Sequence, residues 1–399
     1  MTRLRIGIGI LILAALLPAA LASGQASTGN IYGKAVDEQG GALPGVSVTL
    51  TGPGAPQTTF TDARGDFRYL NLSVGSYSLT LTLQGFSTVT RDGVVVNLGQ
   101  NTDLTVPLKL SSVTATVTVS GETPVIDSRK TNTGANFQLQ ELKSIPTGRD
   151  PWVILQQVPG VQMDRLNIAG NQSGQQSAYI GMGTDTTQNA FNMDGVTITD
   201  MAALGSSPTY YDFDQFQEIQ VATGGADTRI QTPGVQLNMV YKRGTNDFRG
   251  SGRYFHTNGE ESTVDAEAKP YLNFFNAIDA VDDYGLELGG PVIKDRLWLW
   301  GAYGRNQIDL FVAQPTCLAL LPTPCSTTRF TDKTKLETIN GKLNAQITTN
   351  NSAVLLYSDS GKTKFGRNAS PTRPPETTFN QDKYGPKGNY KIEDTHIFS

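Results

Sequence analysis

Apolar and polar residues alternate with a period of two along the C-terminal part of the chain, the pattern of a β-strand with two different faces. In residues 284–288, Tyr284, Leu286 and Leu288 share one face, and Glu287 lies on the other. In residues 337–347 one face carries Ile339, Gly341, Leu343, Ala345 and Ile347, and the other carries Thr338, Asn340, Lys342, Asn344 and Gln346. One face suits lipid and the other a wet lumen, so we predict strands of a membrane-spanning β-barrel. A soluble antiparallel sheet, which also alternates, is the alternative.

The spacing of these strands favours the barrel. We expect one strand to begin near each of Arg249, Asp283, Arg296, Glu337, Ser352 and Lys391. Short turns are expected at residues 291–295 and 348–351, whereas long polar loops are expected at residues 257–282, 306–336 and 359–390. Bacterial barrels have short periplasmic turns and long extracellular loops, so the alternation also assigns a side to each connection.

Aromatic residues and the number of strands add two expectations. Trp298, Trp300, Tyr303 and Tyr254 are of the types that collect at membrane interfaces, and we expect them there. The expected strands are fewer than the roughly 8 of the smallest bacterial single-chain barrels. We therefore expect that the chain is the N-terminal part of a longer protein. By itself it should not insert as a stable pore, because its two sheet edges would be unpaired in lipid.

The N-terminus has the features of a secretion signal over residues 1–22. Arg3 and Arg5 precede an apolar run that is short for a spanning helix, and Ala20-Leu21-Ala22 forms a small-residue cleavage site. Cleavage after Ala26 is a second possibility. The sequence thus predicts an exported protein.

Residues 27–111 have the pattern of a small β-sandwich. Residues 77–83 alternate strictly, and turns rich in Gly, Pro and Asp recur at residues 39–41, 61–66 and 85–86. Short strands at a spacing of about ten residues predict a sandwich of about seven strands. Residues 112–123 follow as a linker that contains a β-branched stretch at residues 113–119.

Residues 124–243 mix helix and strand signals and predict an α+β domain. A short helix is expected to begin near Asp150-Pro151 and to end at Pro159-Gly160. Asp194-Gly195 is a turn dipeptide between two short strands. Strands are also expected at residues 216–221 and 235–243. From residue 247 to 399 the chain continues as the partial barrel, so the fold class is mainly β.

Composition and charge exclude several functions. The 399 residues carry a net charge of −4, which argues against nucleic acid as a partner. With 2 histidines in the chain, a zinc hydrolase site cannot be assembled, and no G-x-S-x-G or H-E-x-x-H motif is present. We therefore expect neither an enzyme nor a cofactor or metal site. Asp200, Asp212 and Asp214 do not have the spacing of a calcium loop and are interpreted as solvated.

Motifs in the first domain resemble those of the carboxypeptidase regulatory-like domain. They are Gly33-Lys34-Ala35-Val36-Asp37, Leu43-Pro44-Gly45-Val46, Thr61-Asp62-Ala63-Arg64-Gly65-Asp66-Phe67 and Gly85-Phe86, with Ala35 where the family usually has Val. The resemblance implies a transthyretin-like or Ig-like sandwich, also classed with carbohydrate-binding-like folds. It does not imply peptidase activity.

The second domain resembles the plug domain of TonB-dependent outer-membrane receptors. The resemblance rests on motifs around Arg149, Pro159-Gly160, Asp194-Gly195 and Glu218-Ile219-Gln220-Val221; Ala222-Thr223-Gly224-Gly225 departs from the common form. Residues 289–298 and the order sandwich, plug, barrel further resemble the Oar-like branch of that family. The implied location is the outer membrane, with the sandwich and plug on the periplasmic side.

The resemblance also implies partners and a mechanism. A TonB-contacting segment is expected between sandwich and plug, at Thr114, Thr116, Val117, Thr118 and Val119. A TonB-type energy transducer would bind there, and an extracellular ligand such as a siderophore, glycan or peptide would be taken up across the outer membrane lipid. The alternatives are that the segment is the last sandwich strand or a linker, and that the protein is a surface adhesin or carbohydrate-binding protein.

We predict that Cys317 and Cys325 form a disulfide on the outer face, because they are a local pair with seven residues between them in an oxidising compartment. A loop of this size contributes about 2–3 kcal/mol of stability in the chain-entropy treatment. A membrane-impermeant thiol reagent should label cells only after reduction. Labelling of unreduced cells would show free thiols and contradict the pairing.

Overall fold

The structure is a computed structural model that describes residues 28–111, 116–119, 133–145, 151–164, 176–200, 202–207, 209–225, 232–259, 277–315, 327–367, 377–384 and 388–397. The secretion signal, Thr114, Arg149 and the pair Cys317 and Cys325 lie outside these residues. Within them, no helix has both the length and the apolar composition that crossing a membrane requires.

The first domain is a β-sandwich of two sheets. Its strands are β1 Thr28–Val36, β2 Ser47–Thr51, β3 Gln57–Phe60, β4 Asp66–Ser73, β5 Gly75–Thr82, β6 Thr88–Val96, β7 Asn101–Pro107 and β8 Thr116–Val119. One sheet has the order β4-β1-β7 and the other β3-β2-β5-β6-β8. Alternate residues of β5, including Leu79 and Leu81, are fully buried between the sheets. The strict alternation in the sequence therefore identifies the face of β5 that lies in the core.

The turn before β4 shows why the Thr-Asp motif occurs there. Asp62 Oδ1 accepts hydrogen bonds from the backbone N–H groups of Arg64 and Asp66 at 2.8 and 3.0 Å. These bonds stabilise the charged carboxylate and lower the pKa of Asp62. The Thr61 hydroxyl donates to Leu43 O at 2.7 Å and accepts from Val46 N–H at 2.9 Å, which joins this turn to the start of β2.

The second domain, here called the plug after the domain that it resembles, is built around a five-stranded sheet of order β13-β12-β15-β14-β9. Its elements are β9 Thr133–Gln138, α1 Leu139–Ser144, β10 Val161–Met163, β11 Tyr179–Gly181, β12 Ala190–Met193, β13 Val196–Thr197, β14 Phe216–Gly224 and β15 Gln236–Tyr241, with 3-10 helices at Pro151–Gln157, Thr186–Gln188 and Phe213–Gln215. The short helix predicted near Pro151 is thus a 3-10 helix. It buries Trp152, whose ring meets Phe191 edge-on at 5.7 Å between centroids.

The third part is one antiparallel sheet, here called the wall. Its strands are β16 Arg249–Asn258, β17 Ala277–Ile293, β18 Leu297–Pro315, β19 Thr327–Thr348, β20 Asn351–Arg367, β21 Phe379–Tyr384 and β22 Asn389–His396. β22 pairs with residues 351–358 of β20, and β21 pairs with residues 362–367. These two strands thus occupy one position beside β20, and the described wall has the six strand positions that the sequence predicts.

The wall has the two predicted faces. On β19, Thr338 and Asn340 are each only 3 % exposed, whereas Ile339 between them is 49 % exposed. On β17, Leu286 and Leu288 are exposed and Glu287 points to the opposite side, against the plug. An apolar outer face and a polar covered face are the inverse of a soluble sheet, as expected for a barrel wall.

Two expectations about the wall are wrong. The strands are much longer than predicted: β18 continues to Pro315 and β19 begins at Thr327. Cross-strand ion pairs such as Lys333 with Asp309, at 3.3 Å, join polar residues that were expected in loops. In addition, Trp298 and Trp300 are 1 % and 3 % exposed on the covered face rather than at a lipid interface.

The sandwich core generates a stability prediction. Leu81→Ala should lower the free energy of unfolding of this domain by about 2–5 kcal/mol, because it leaves a cavity at a fully buried position. Amide hydrogen exchange of the sandwich strands at increasing urea concentration measures this change. Leu110→Ala, at a position 75 % exposed, should stay within about 0.5 kcal/mol of the parent. Similar losses in both variants would contradict the assigned core.

Candidate functional site at the interface between plug and wall

The plug lies against the covered face of the wall, and part of this contact is apolar. The plug core extends to Trp300, Ala302 and Leu356 of the wall. The ring of Tyr241, at the end of β15, lies 6.2 Å from that of Trp300, and its hydroxyl lies 2.7 Å from Ser358 Oγ. Burial raises the pKa of Tyr241 far above its ordinary value, so the hydroxyl stays neutral.

A buried ion pair joins Asp194 of the plug to Lys342 of β19. Asp194 and Gly195 have φ angles of 47° and 79°, the left-handed conformation that the tight turn between β12 and β13 needs. This turn points the carboxylate at the wall, where both oxygens lie 2.9 Å from Lys342 Nζ. Asp194 is 1 % exposed and Lys342 7 % exposed. The sequence identifies the turn but not the ion pair.

A second pair joins Lys242, just after β15, to Glu287 of β17. Lys242 Nζ lies 2.7 and 2.9 Å from the two carboxylate oxygens. Ser251 also donates to Glu287, at 2.9 Å. The inward direction of Glu287 was expected from alternation alone, but its partner was not.

A third cluster centres on Arg253 of β16. Its guanidinium lies 2.7 Å from Asp212, 3.1 Å from Asp214 and 2.9 Å from Asp283. Burial raises the pKa of Asp212, and the nearby guanidinium partly opposes this shift. A Cβ atom at Gly304 would lie 2.1 Å from Asp212 Oδ2, so a larger residue there would have to displace this carboxylate from its position beside Arg253.

The interpretation of Asp212 and Asp214 as solvated is therefore wrong. Their side chains are 7 % and 25 % exposed and bind Arg253. Asp200 lies apart and accepts hydrogen bonds from the N–H groups of Ala202 and Ala203 at 2.7 and 3.0 Å, as a turn residue does. Among the residues that the structure describes, no group of His, Cys, Asp and Glu side chains is arranged to hold a metal ion.

Neutral hydrogen bonds complete the interface. Gln215 lies in the 3-10 helix that also carries Asp214. Its Nε2 donates to Thr338 Oγ1 at 2.6 Å, and its Oε1 accepts from Asn340. Gln215, Thr338 and Asn340 are each no more than 3 % exposed. On the predicted polar face of β19, Thr338 and Asn340 therefore bind the plug rather than face a water-filled lumen.

This arrangement suits a domain that changes its position against the wall without unfolding. The plug core consists mostly of plug residues and reaches the wall at Trp300, Ala302 and Leu356, whereas much of the remaining contact between plug and wall consists of ion pairs and hydrogen bonds. Separating a buried ion pair into water returns hydration to both charges, so such a pair contributes little net stability. Polar contacts can thus exchange with water while the part of the apolar core that lies within the plug stays intact.

The remaining motif residues lie elsewhere. Pro159 and Gly160 follow the 3-10 helix Pro151–Gln157, and Gly160 O accepts from Met182 N–H at 3.2 Å, which links this turn to the end of β11. Thr116, Val117, Thr118 and Val119 form β8, which pairs in parallel with residues 88–91 of β6. This placement agrees with the alternative that the segment is the last sandwich strand.

Two family models match the chain. The carboxypeptidase regulatory-like domain matches residues 30–109, and the TonB-dependent receptor plug domain matches residues 128–257. The first match covers nearly all of β1 to β7, and the second runs from before β9 almost to the end of β16. The predicted order of a regulatory-like sandwich followed by a plug is thereby confirmed.

The chain is also similar to individual proteins. It is 27% identical over 318 residues to the TonB-dependent transporter Oar of Myxococcus xanthus, a match that covers 75% of this chain and 28% of that protein. The outer membrane transporter YddB from Escherichia coli is 17% identical with a TM-score of 0.47, over 59% of this chain and 33% of that chain. The siderophore receptor PirA from Acinetobacter baumannii is 18% identical with a TM-score of 0.43, over 60% and 33%. The chain thus spans about a third or less of the length of these relatives.

These matches settle several predictions. The resemblance to Oar-like TonB-dependent receptors is confirmed, as is the mainly β fold class with sandwich, plug and the first strands of a barrel. The matched plug domain and the name of the Myxococcus xanthus relative agree with a receptor or transporter rather than an enzyme, and with a place in the outer membrane.

The ion pair between Asp194 and Lys342 generates a prediction about the strength of the contact between plug and wall. Asp194→Asn keeps a residue that tolerates the positive φ of this turn but leaves a buried ammonium group unpaired. We expect the contact to weaken by about 3–5 kcal/mol, measured as faster amide exchange in β12 and β13. The double variant Asp194→Asn/Lys342→Met removes both charges and should recover most of the loss. Equal exchange in the single and double variants would contradict a functional ion pair.

Proposed function

We propose that this chain is the sandwich, plug and first wall strands of a TonB-dependent outer-membrane transporter that takes up a scarce or bulky ligand. The observation that carries the proposal is the polar interface between plug and wall. Three ionic clusters, centred on Lys342, Lys242 and Arg253, hold a domain that has its own core. Such a domain closes the lumen at rest and shifts when its polar contacts exchange with water.

The proposed energy source is a TonB-type transducer of the inner membrane, which binds β8. In the described part of the chain β8 is the last strand of its sheet, with β6 on one side and no strand on the other. Such an edge accepts an extra strand from a partner through backbone hydrogen bonds. Residues 120–132 then connect β8 to β9, the first strand of the plug, so a pull on β8 reaches the plug through the shortest covalent path.

The ligand is proposed to be extracellular, of the siderophore, glycan or peptide classes. Adhesion or glycan binding through the sandwich is the second candidate. Contacts between sandwich and plug favour transport over adhesion, because an adhesive module would be expected to stand clear of the plug. Leu98 of the sandwich, for example, donates its backbone N–H to Glu218 of the plug at 2.9 Å.

A proline scan of β8 tests the transducer contact. Successive residues of a strand direct their N–H groups to opposite edges. Of the two variants Val117→Pro and Thr118→Pro, one therefore removes an N–H that faces β6, and the other removes an N–H that faces the open edge. We expect the variant at the open edge to lose capture of a purified periplasmic domain of a TonB-type transducer by at least about tenfold.

Val117→Ala and Thr118→Ala serve as matched controls, because they retain the N–H groups, and they should bind the transducer domain as the parent does. In cells, the proline variant at the open edge should abolish uptake while leaving surface binding of ligand intact. If capture is unchanged with proline at Thr116, Val117 and Thr118 in turn, β8 is only a sandwich strand and the proposed coupling is wrong.

A further inference from the structure

Two neighbouring turns at one end of the sandwich contact the plug. One joins β4 to β5 and contains Val74, and the other joins β6 to β7 and contains Leu98. These two side chains are 5 % and 4 % exposed and form a small apolar cluster with Val240 of β15. The cluster is separate from the sandwich core and from the plug core, so it belongs to the contact between the domains. We call these turns the docking turns.

The plug binds the backbone of Leu98 at both of its polar atoms. Leu98 N–H donates to Glu218 Oε1 at 2.9 Å, and Gln220 Nε2 donates to Leu98 O at 2.8 Å. Glu218 and Gln220 are two residues apart on β14 and therefore point to the same face of the sheet. Both are buried, at 1 % and 6 % exposure. A hydrogen bond to a buried carboxylate is among the stronger ones, so the docking turn is held firmly.

The plug orients these two side chains in advance. Asn136 of β9 donates to the same Glu218 oxygen at 2.8 Å, and Asn238 of β15 donates to Gln220 Oε1 at 2.8 Å. Gln138, the last residue of β9, donates from its Nε2 to Asn97 in the docking turn. The contact therefore joins the sandwich to β9, β14 and β15 together.

We infer that the docked sandwich holds β9 in the plug sheet and must lift before β9 can move. β9 is an edge strand, and in the described residues its ladder has β14 on one side and no strand on the other. It is also the first plug strand after residues 120–132, where a pull from β8 arrives. The sandwich holds β9 directly through Gln138 and indirectly through Glu218, which Asn136 shares with Leu98.

The order of events follows from the position of β8. Because β8 is part of a sandwich sheet, a pull on it acts on the sandwich before the connection to β9 is loaded. The docking turns then leave β14, Glu218 loses one of its donors, and the β9 ladder remains as the contact to break. The direction of the pull rests on the proposed function, whereas the holding of β9 does not.

The test uses Leu98→Asp in the whole protein, purified in detergent from outer membranes of cells that produce it. The new carboxylate would be buried in the apolar cluster with Val74 and Val240, next to a backbone N–H that binds the carboxylate of Glu218, so the docking turns should separate from the plug. We expect amide exchange of Leu98 and of the β9 residues Ala135 and Phe137 to become at least about tenfold faster. Leu110→Asp, the same change at an exposed leucine of the sandwich, should leave these rates unchanged.

Two outcomes in the parent protein and in Leu98→Asp would overturn the inference. Rapid exchange at Leu98 in the parent protein would show that the sandwich is not docked. Faster exchange at Leu98 in Leu98→Asp with unchanged rates in β9 would show that the sandwich docks on the plug but does not hold β9 in the plug sheet. Neither measurement involves an energy transducer or a ligand, so either failure leaves the transport proposal to its own experiment.

Sandwich folding is monitored in the same measurement through the buried residues Leu79 and Leu81 of β5. If Leu98→Asp also accelerates exchange there, Gln220→Glu replaces it. This change removes the donor to Leu98 O and adds a charge near Glu218 without altering the sandwich. Gln217→Glu, the same substitution on the same strand, is its matched control. If the Leu98 amide exchanges rapidly in Gln220→Glu while the β9 amides still exchange slowly, the inference is contradicted.

Discussion

Burial of the polar wall face against the plug is the constraint on which the rest of the structure depends. A strand wall with lipid on one side must turn its polar residues inward, and buried polar groups need partners. Lys342 and Glu287 show the consequence: these two inward charges of the wall meet opposite charges of the plug, Asp194 and Lys242. The plug residues at these positions are thus determined by the wall, although they are distant in sequence.

Different forces act within the domains and between them. The sandwich and the plug each have a continuous apolar core, whereas the contacts of the plug with the wall and with the sandwich rely heavily on ion pairs and hydrogen bonds. Apolar burial is non-directional and is lost when a domain opens, but a polar pair regains hydration when its members separate. The two interfaces of the plug are therefore the places where movement costs least.

The sequence predicted local features better than distant ones. A period of two assigned both faces of β19 and the inward direction of Glu287, because neighbouring strand residues always point to opposite sides. It could not identify Lys242, Asp212 or Asp194 as partners of the wall, because those pairs depend on the position of the plug. Trp298 and Trp300 were misplaced for the same reason, since their residue type suits an interface but the plug covers them. Loop lengths were wrong because polar cross-strand pairs extend the strands beyond the apolar segments.

Edge strands connect these observations to a mechanism. Among the residues that the structure describes, β8 is the last strand at one end of the sandwich sheet and β9 the last strand at one end of the plug sheet, and residues 120–132 join them in sequence. A strand with a ladder on one side has about half the backbone hydrogen bonds of a central strand, and its free side accepts another strand. In the proposed function, β8 receives the strand of a partner and β9 moves, and both are edge strands. The contact of Leu98 with Glu218 and Gln220 lies between them, and it decides whether a pull on the first edge reaches the second.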